Sequence, residues 1–212
     1  MFLMIPEHKR QEHFTGYAHA LQERFRSGIL AELQPLNQWV VWRAELEDGK
    51  QKKVPYNPNY HLMRASVKTP NSWGTLDTAL IALETGNYSG LGFMLTPPLV
   101  MVDLDNSFDK QTRTITTPQA VEIIQHINSY TEASPGNGLH ILAYGQLPGK
   151  GIHTRIEIYG QDRFTTITTQ HILGTPTTIE QRHQALEALY KRFAPPSVSE
   201  HTEHRGVSGA GN

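Results

Sequence analysis

The chain has 212 residues, 38% of them hydrophobic and 18% charged, with a net charge of −1 and no cysteine. That length supports one good-sized core or two small packed units. The charge balance excludes a global basic field, and the missing cysteine excludes a disulfide framework, a cysteine zinc site, an iron–sulfur cluster and a thiol nucleophile.

The opening MFLMIP is too short for a secretory apolar region, and Glu7, His8, Lys9 and Arg10 put its charges on the wrong side. Apolar runs fall short of the ~20 residues of a membrane helix. The expectation is a soluble, cytoplasmic chain with no membrane partner. Phe14, Tyr17, Leu21, Phe25 and Ile29 recur at spacings of three and four, which predicts a helix over 7–33, stopped by Pro35. Residues 38–46, QWVVWRAEL, read as a strand, Asp48-Gly49 as a turn, and KKVPYNP as a second extended segment. Thr75 to Glu84 reads as a helix closed by Gly86. GLGFMLT (90–96) and PLVMVDLD (98–105) are two apolar strands separated by a proline turn. Pro118 opens a helix to about Asn128. Residues 129–134 and 139–144 are strands around an SPGNG loop. RIEIYG and RFTTITTQHI are two more, joined by a Gly-Gln-Asp turn. Ile179 to Phe193 is a last amphipathic helix. Pro195-Pro196 then opens a tail with nothing apolar enough to fold. The order of elements is an α+β pattern.

The densest chemistry is VMVDLDN, residues 100–106. Alternate strand residues share a face, so Asp103 and Asp105 project together while Val102 and Leu104 point the other way into a core. Two adjacent carboxylates repel unless a cation sits between them, and oxygen-only donors suit Mg²⁺ or Mn²⁺. Taken alone, a DxD is equally read as two surface aspartates at a loop mouth. The SPGNGLH segment, 134–140, adds a small-residue loop running into a histidine. Gly136 and Gly138 let backbone approach an anion, and the His140 ring can donate to a phosphate; the plainer reading is a hairpin with a capped histidine. Glu157 alternates with Ile156 and Ile158 and so faces away from a buried pair. It either joins the aspartates or meets Arg155 or Arg163, and Glu132 is a rival third carboxylate. Arg163 follows a turn and is either a triphosphate or template contact or an exposed edge residue. Lys52 and Lys53, followed by Tyr56, form a local basic and aromatic patch fit for single-strand phosphates and base stacking, or a solvated hairpin. Trp39, Trp42 and Trp73 read as core.

The series NQWVVWRAE, GKQKKVPYNP, ASVKTPNSWGTLDTAL, GLGFMLT, VMVDLDN, SYTEASPGNGLHI and IEIYGQDRFTTIT resembles the primase–polymerase domain of plasmid and phage replication proteins, in the archaeo-eukaryotic primase superfamily. The resemblance runs from about residue 37 to 193. It implies a helical segment over 1–36, a catalytic domain over 37–194 and a flexible tail or linker over 195–212. It further implies an N-terminal α/β unit packed on a sheet related to RNA-recognition modules, with the active-site groove between them. The family's acidic pair lands on Asp103 and Asp105, its small-residue loop and histidine on Ser134 and His140, and its strand carboxylate on Glu157. Template-directed nucleotidyl transfer is then expected, as primer synthesis or extension in phage or mobile-element replication. Asp103, Asp105 and Glu157 would hold two Mg²⁺ or Mn²⁺ ions, and Ser134, Gly138, His140 and Arg163 would grip the triphosphate. The implied partners are a single-stranded DNA template and primer, (deoxy)nucleoside triphosphates, and a helicase or accessory helical domain in trans or in a longer chain. Two departures stand out. Gly136 and Asn137 replace the family's second serine and glycine, and Thr168-Thr169-Gln170 stands where Thr-Gly is usual.

Other function classes fit less well. A haloacid dehalogenase-type phosphatase matches VMVDLDNS superficially, but about 100 residues precede the motif and no late Asp-Asp pair exists. A rolling-circle relaxase needs a His-x-His pair, which the sequence lacks. A non-catalytic single-strand or nucleotide-binding module is the remaining alternative, and the three filled motif positions argue against it.

Overall fold

The computed structural model describes residues 7–154 and 156–194. The MFLMIP start, Arg155 and the tail from Pro195 lie outside the described residues. In chain order the elements are helix α1 (Glu7–Arg26) and the hairpin of β1 (Trp39–Glu47) and β2 (Lys50–Tyr56). A 3-10 turn at Pro70–Ser72 leads to helix α2 (Leu76–Glu84) and strand β3 (Gly90–Met94). Next come β4 (Leu99–Leu104), the small pair β5 (Phe108–Asp109) and β6 (Thr114–Ile115), and helix α3 (Pro118–Ile127). Strands β7 (Thr131–Ala133), β8 (Leu139–Tyr144), β9 (Ile152–His153), β10 (Glu157–Tyr159) and β11 (Phe164–Ile167) follow. Strand β12 (Glu180–Gln181) and helix α4 (His183–Phe193) end the described fold. The chain is thus the mixture of helices and antiparallel sheet that its pattern predicts. Among the described residues no helix is long and apolar enough to cross a membrane.

Local chemistry explains most boundaries. Asp48 and Gly49 both take positive φ, 52° and 73°, the turn that lets β1 and β2 keep their natural twist. The Thr75 and Thr117 hydroxyls accept from the N–H of the third residue of α2 and α3, Thr78 and Ala120, and Asn128 closes α3 in the left-handed region. Helix α1 ends at Arg26, short of the predicted 33. Gly28 turns the chain at φ 94°, and Leu30 and Leu33 then drop into the core as loop residues. Helix α4 starts at His183 rather than Ile179, because residues 180–181 pair with β8 instead. Strand β11 stops at Ile167; Thr168 and Thr169 leave the ladder to serve a buried carboxylate described below.

Two sheets organise the molecule. The first is antiparallel, in the order β11-β3-β1-β2; the second runs β12-β8-β4-β10-β9, with β7 also paired to β8. Neighbours in sequence part company here. Strands β3 and β4 go to different sheets, and so do β10 and β11. One apolar cluster joins α1 and α2 to Trp39, Val41, Leu91 and Phe93 of the first sheet and to Leu99, Met101 and Leu142 of the second. The opposite face of the second sheet packs Val100, Val102 and Leu104 against α3 and α4.

Trp39 lies at the centre of the first cluster. It has no exposure, its indole N–H donates to Leu33 O at 3.0 Å, and its ring meets Phe25 and Phe93 edge-on at 5.3 and 5.1 Å. Trp39→Ala is expected to cost about 3–5 kcal/mol, the usual range for truncating a buried aromatic. Trp73→Ala should cost clearly less, since Trp73 is only half-buried. Urea unfolding of the two variants checks the order; equal losses would contradict it.

Candidate functional site

The register of the second sheet builds the site. Asp103 on β4 lies opposite Glu157 on β10 and His140 on β8, and His140 lies opposite Glu132 on β7. Directly opposed residues point to the same face. One row earlier on that face stand Tyr159, Met101 and Leu142, all within the apolar layer between the sheets. The apolar layer therefore runs out after Met101, and the next row across the sheet is Glu157, Asp103, His140 and Glu132. His153 of β9 extends it on the far side, opposite Glu157.

Asp103 is the strained member. Its side chain is 18% exposed, and Oδ1 is buried with no hydrogen-bond partner. Burial holds its carboxyl above the ordinary value; His140 and Lys53 pull it down, while Asp105 and Glu157 push it further up. Asp105 lies just past the end of β4 and is exposed. Repulsion between like charges adds to the cost of burying Asp103. A cation is the natural relief for such a group.

The loop before His140 is closed on itself. Ser134 N–H donates to Gly138 O at 2.9 Å, and Gly138 N–H donates to Ser134 Oγ at 3.2 Å. The Gly138 N–H is thus turned inward rather than toward a ligand, and the Ser134 hydroxyl keeps its own proton to give. A Cβ on residue 138 would come within 2.8 Å of Leu104 O and 3.3 Å of Asp105 Cα, so only glycine lets the loop lie this close to the acidic strand end. Lys110 pins the loop from outside through Pro135 O. His140 is 3% exposed; its Nδ1 donates to Thr166 O on β11 at 3.2 Å, and its Nε2 lies 3.8 Å from Asp103 Oδ2.

Glu157 and Glu132, rivals in sequence, differ in their surroundings. Glu132 has no exposure. Its oxygens accept from Thr168 N–H (3.0 Å), Thr169 N–H (2.9 Å) and the Tyr130 hydroxyl (2.9 Å), which leaves it engaged within the protein. Glu157 is half-buried and is bonded by the Tyr159 hydroxyl, which in turn accepts from His153 Nδ1 at 3.0 Å. Tyr159, pushed up by burial and by Glu157, stays protonated. Arg163 lies over the Tyr159 ring, 5.2 Å from its centroid.

The basic patch divides. Lys53 is exposed on the edge strand of the first sheet, and its charge reaches Asp103. Lys52 is paired with Glu47 at 3.0 Å. Tyr56 is 6% exposed, packed at 5.7 Å from Tyr88 and bonded to Glu45, so its ring belongs to the core and offers no face to a base. Strand parity explains this, since residues 54 and 56 share the packed face and Lys53 points the other way.

Among the described residues no three acidic or histidine side chains converge into a ready-made metal cluster. The fit to a divalent cation rests instead on the oxygen-only set around Asp103, on its unpartnered buried Oδ1, and on the crowding by Asp105 and Glu157. Sequence reasoning missed Tyr159, His153, Lys110 and the Thr166–Thr169 turn. Tyr159 alone carried a signal, sitting two residues from Glu157 and hence on its face.

This arrangement, with acids and an imidazole in register on one sheet face, accompanies sequence similarity to a protein named a primase-polymerase. The similarity is to the DNA primase-polymerase of Nitratiruptor phage NrS-1, 38% identical over 141 residues. The aligned part is 62% of this chain and 19% of that protein, so the chain spans about a fifth of its relative's length. No protein-family model matches the chain.

Asp103→Asn is expected to raise the melting temperature of metal-free protein, each recovered kcal/mol giving about 2–4 °C. The folded-state carboxyl is held above its ordinary 3.8. Ionising it therefore costs more in the folded protein than in the unfolded chain. The penalty is absent below that ordinary value, builds as pH rises from it toward the raised one, and stays at full size above that. Melts in chelator at low and neutral pH check the sign. A gain confined to the acid side would refute it.

Proposed function

We propose that the protein catalyses template-directed nucleotidyl transfer, making or extending primers in phage or mobile-element replication. The observation that carries this reading is the register that sets Glu157, Asp103 and His140 side by side at the margin of the apolar layer. Similarity to a protein named for the same activity supports it. In this reading the first sheet with α1 and α2 and the second with α3 and α4 are the two units of a primase–polymerase fold. The catalytic groove follows their junction, within a catalytic domain over 37–194.

Asp103, Asp105 and Glu157 are the residues that would hold Mg²⁺ or Mn²⁺. Two such ions, when bound, neutralise triphosphate charge and acidify a primer 3′-hydroxyl. The remaining work falls to the chain's own groups. His140 presents Nε2 toward the acids, where a triphosphate oxygen would lie. The Ser134 hydroxyl has a proton to donate at the loop. The Arg163 guanidinium offers paired donors to a phosphate beside Glu157. Lys53 faces the acids from the first sheet and suits a strand phosphate. The substrates are a single-stranded DNA template, a primer and (deoxy)nucleoside triphosphates. A helicase or accessory helical domain, in trans or in a longer chain, is a partner of the same reading.

The test is incorporation on primed and unprimed single strands, with deoxy- or ribonucleotides and Mn²⁺ or Mg²⁺, the products being sized. Asp103→Ala or Asp105→Ala should lower incorporation at least about a thousandfold, several kcal/mol of lost charge stabilisation. Glu157→Gln should lose nearly as much. Full activity in either aspartate variant would defeat the assignment. Template binding without incorporation in the wild type would instead favour a non-catalytic binding module.

A further inference from the structure

We propose that Glu132 is a positioning residue for His140, fixing which ring nitrogen faces the groove. The proposal rests on reading that groove as the nucleotidyl-transfer site, and Glu132 itself touches no substrate in it.

A fully buried carboxylate is among the costliest side chains to keep, and its partners show what it is kept for. Glu132 Oε1 accepts from Thr168 N–H and Oε2 from Thr169 N–H and Tyr130 Oη. Successive backbone N–H groups converge on one carboxylate because Thr169 takes φ 55°, which curls the chain into an anion-holding turn. The same turn is pinned at its other atoms. Thr168 Oγ1 donates to Ala133 O at 2.7 Å, and Arg24 of α1 reaches Thr168 O and Thr169 Oγ1 at 3.4 and 3.3 Å.

The turn begins two residues after Thr166, a β11 residue whose carbonyl meets His140 Nδ1 at 3.2 Å. A carbonyl only accepts, so Nδ1 carries the hydrogen. Glu132 Oε1 lies 3.7 Å from the same nitrogen and adds negative charge there. Both neighbours of Nδ1 are therefore acceptors: Glu132 itself, and the Thr166 carbonyl, which the β11–β3 ladder and the turn on Glu132 hold from either side. Nε2 is left on the side of Asp103; with Nδ1–H held by Thr166 O, that nitrogen donates to a triphosphate oxygen as the imidazolium, in which both ring nitrogens carry hydrogen. A ring released from this turn is free to flip and to exchange tautomers, and it would then meet a triphosphate with the wrong atom in part of the population.

Two-bond proton–nitrogen correlation spectra of histidine-labelled wild-type protein, with His140 assigned by its loss in His140→Asn, read the tautomer directly. Hydrogen at Nδ1 is expected; hydrogen at Nε2 with Nδ1 bare overturns the proposal, and this measurement does not depend on any variant folding. Glu132→Gln turns an amide NH₂ against one of the two backbone donors. If it retains a cooperative melt, it should show mixed His140 tautomers. The KM for nucleoside triphosphate should rise about tenfold or more, the factor for losing a hydrogen bond to a charged group. Its affinity for primed template should stay unchanged. A folded Gln variant with the wild-type spectrum and wild-type KM overturns the proposal. Wild-type protein with hydrogen at Nδ1 but no incorporation would sink the polymerase reading and leave the positioning of His140 intact.

Discussion

A carboxylate without solvent exposure must find a donor for each lone pair that water would otherwise satisfy. Glu132 meets that constraint with two backbone N–H groups and a buried phenol. The two backbone donors do not come from its own strand ladder. They come from the residues that follow β11, which belongs to the other sheet. One buried charge thus fastens the two sheets together at the point where their shared apolar layer ends. Arg24 extends the fastening to α1. Hydrogen bonds to a charged group contribute about 1.5–3 kcal/mol each, and orphaning such a group costs more than any one of them. The junction is therefore held in one geometry rather than a range of them.

The same sheet row holds a carboxylate in the opposite condition. Asp103 sits one strand beyond His140, largely buried, with one oxygen unpartnered and two acids nearby. Its environment works against its charge, and a domain with a typical 5–15 kcal/mol of stability retains such a group at a real cost. Four side chains across four strands thus grade from fully compensated to uncompensated. Glu132 is closed off, His140 is oriented by it, Asp103 is exposed to repulsion, and Glu157 is half-satisfied through Tyr159. A gradient of that kind has a use when the uncompensated end receives something positive.

How much of this is legible in the sequence follows from the range of each interaction. The shared face of Asp103 and Asp105 is a two-residue period and needs no tertiary knowledge. The hairpin at Asp48-Gly49 and the caps at Thr75 and Asn128 are equally local. The difference between Glu132 and Glu157 is not, because the backbone donors that engage Glu132 lie 36 and 37 residues away. Nor can a single chain reveal that β10 and β11, joined by a short turn, separate into different sheets. Tyr56 shows a different failure. An aromatic beside two lysines reads as a stacking surface, yet its parity on β2 places it with Val54 in the packed layer and leaves Lys53 alone toward the acids.

Lys53 and Thr166 show why the placement of the sheets bears on chemistry. The second sheet supplies every carboxylate of the row, and the first sheet supplies the carbonyl that orients His140 and the ammonium whose charge reaches Asp103. Neither sheet alone holds both signs of charge in the arrangement the site needs. A small rotation of one sheet against the other would leave each strand's register untouched. It would still separate Nδ1 from its acceptor and Lys53 from the acids. The fastening at Glu132 opposes that rotation, and it lies beside the imidazole it serves. Precision at the site is thus set by the least exposed charge in the row, and the exposed acids inherit it through backbone that never contacts them.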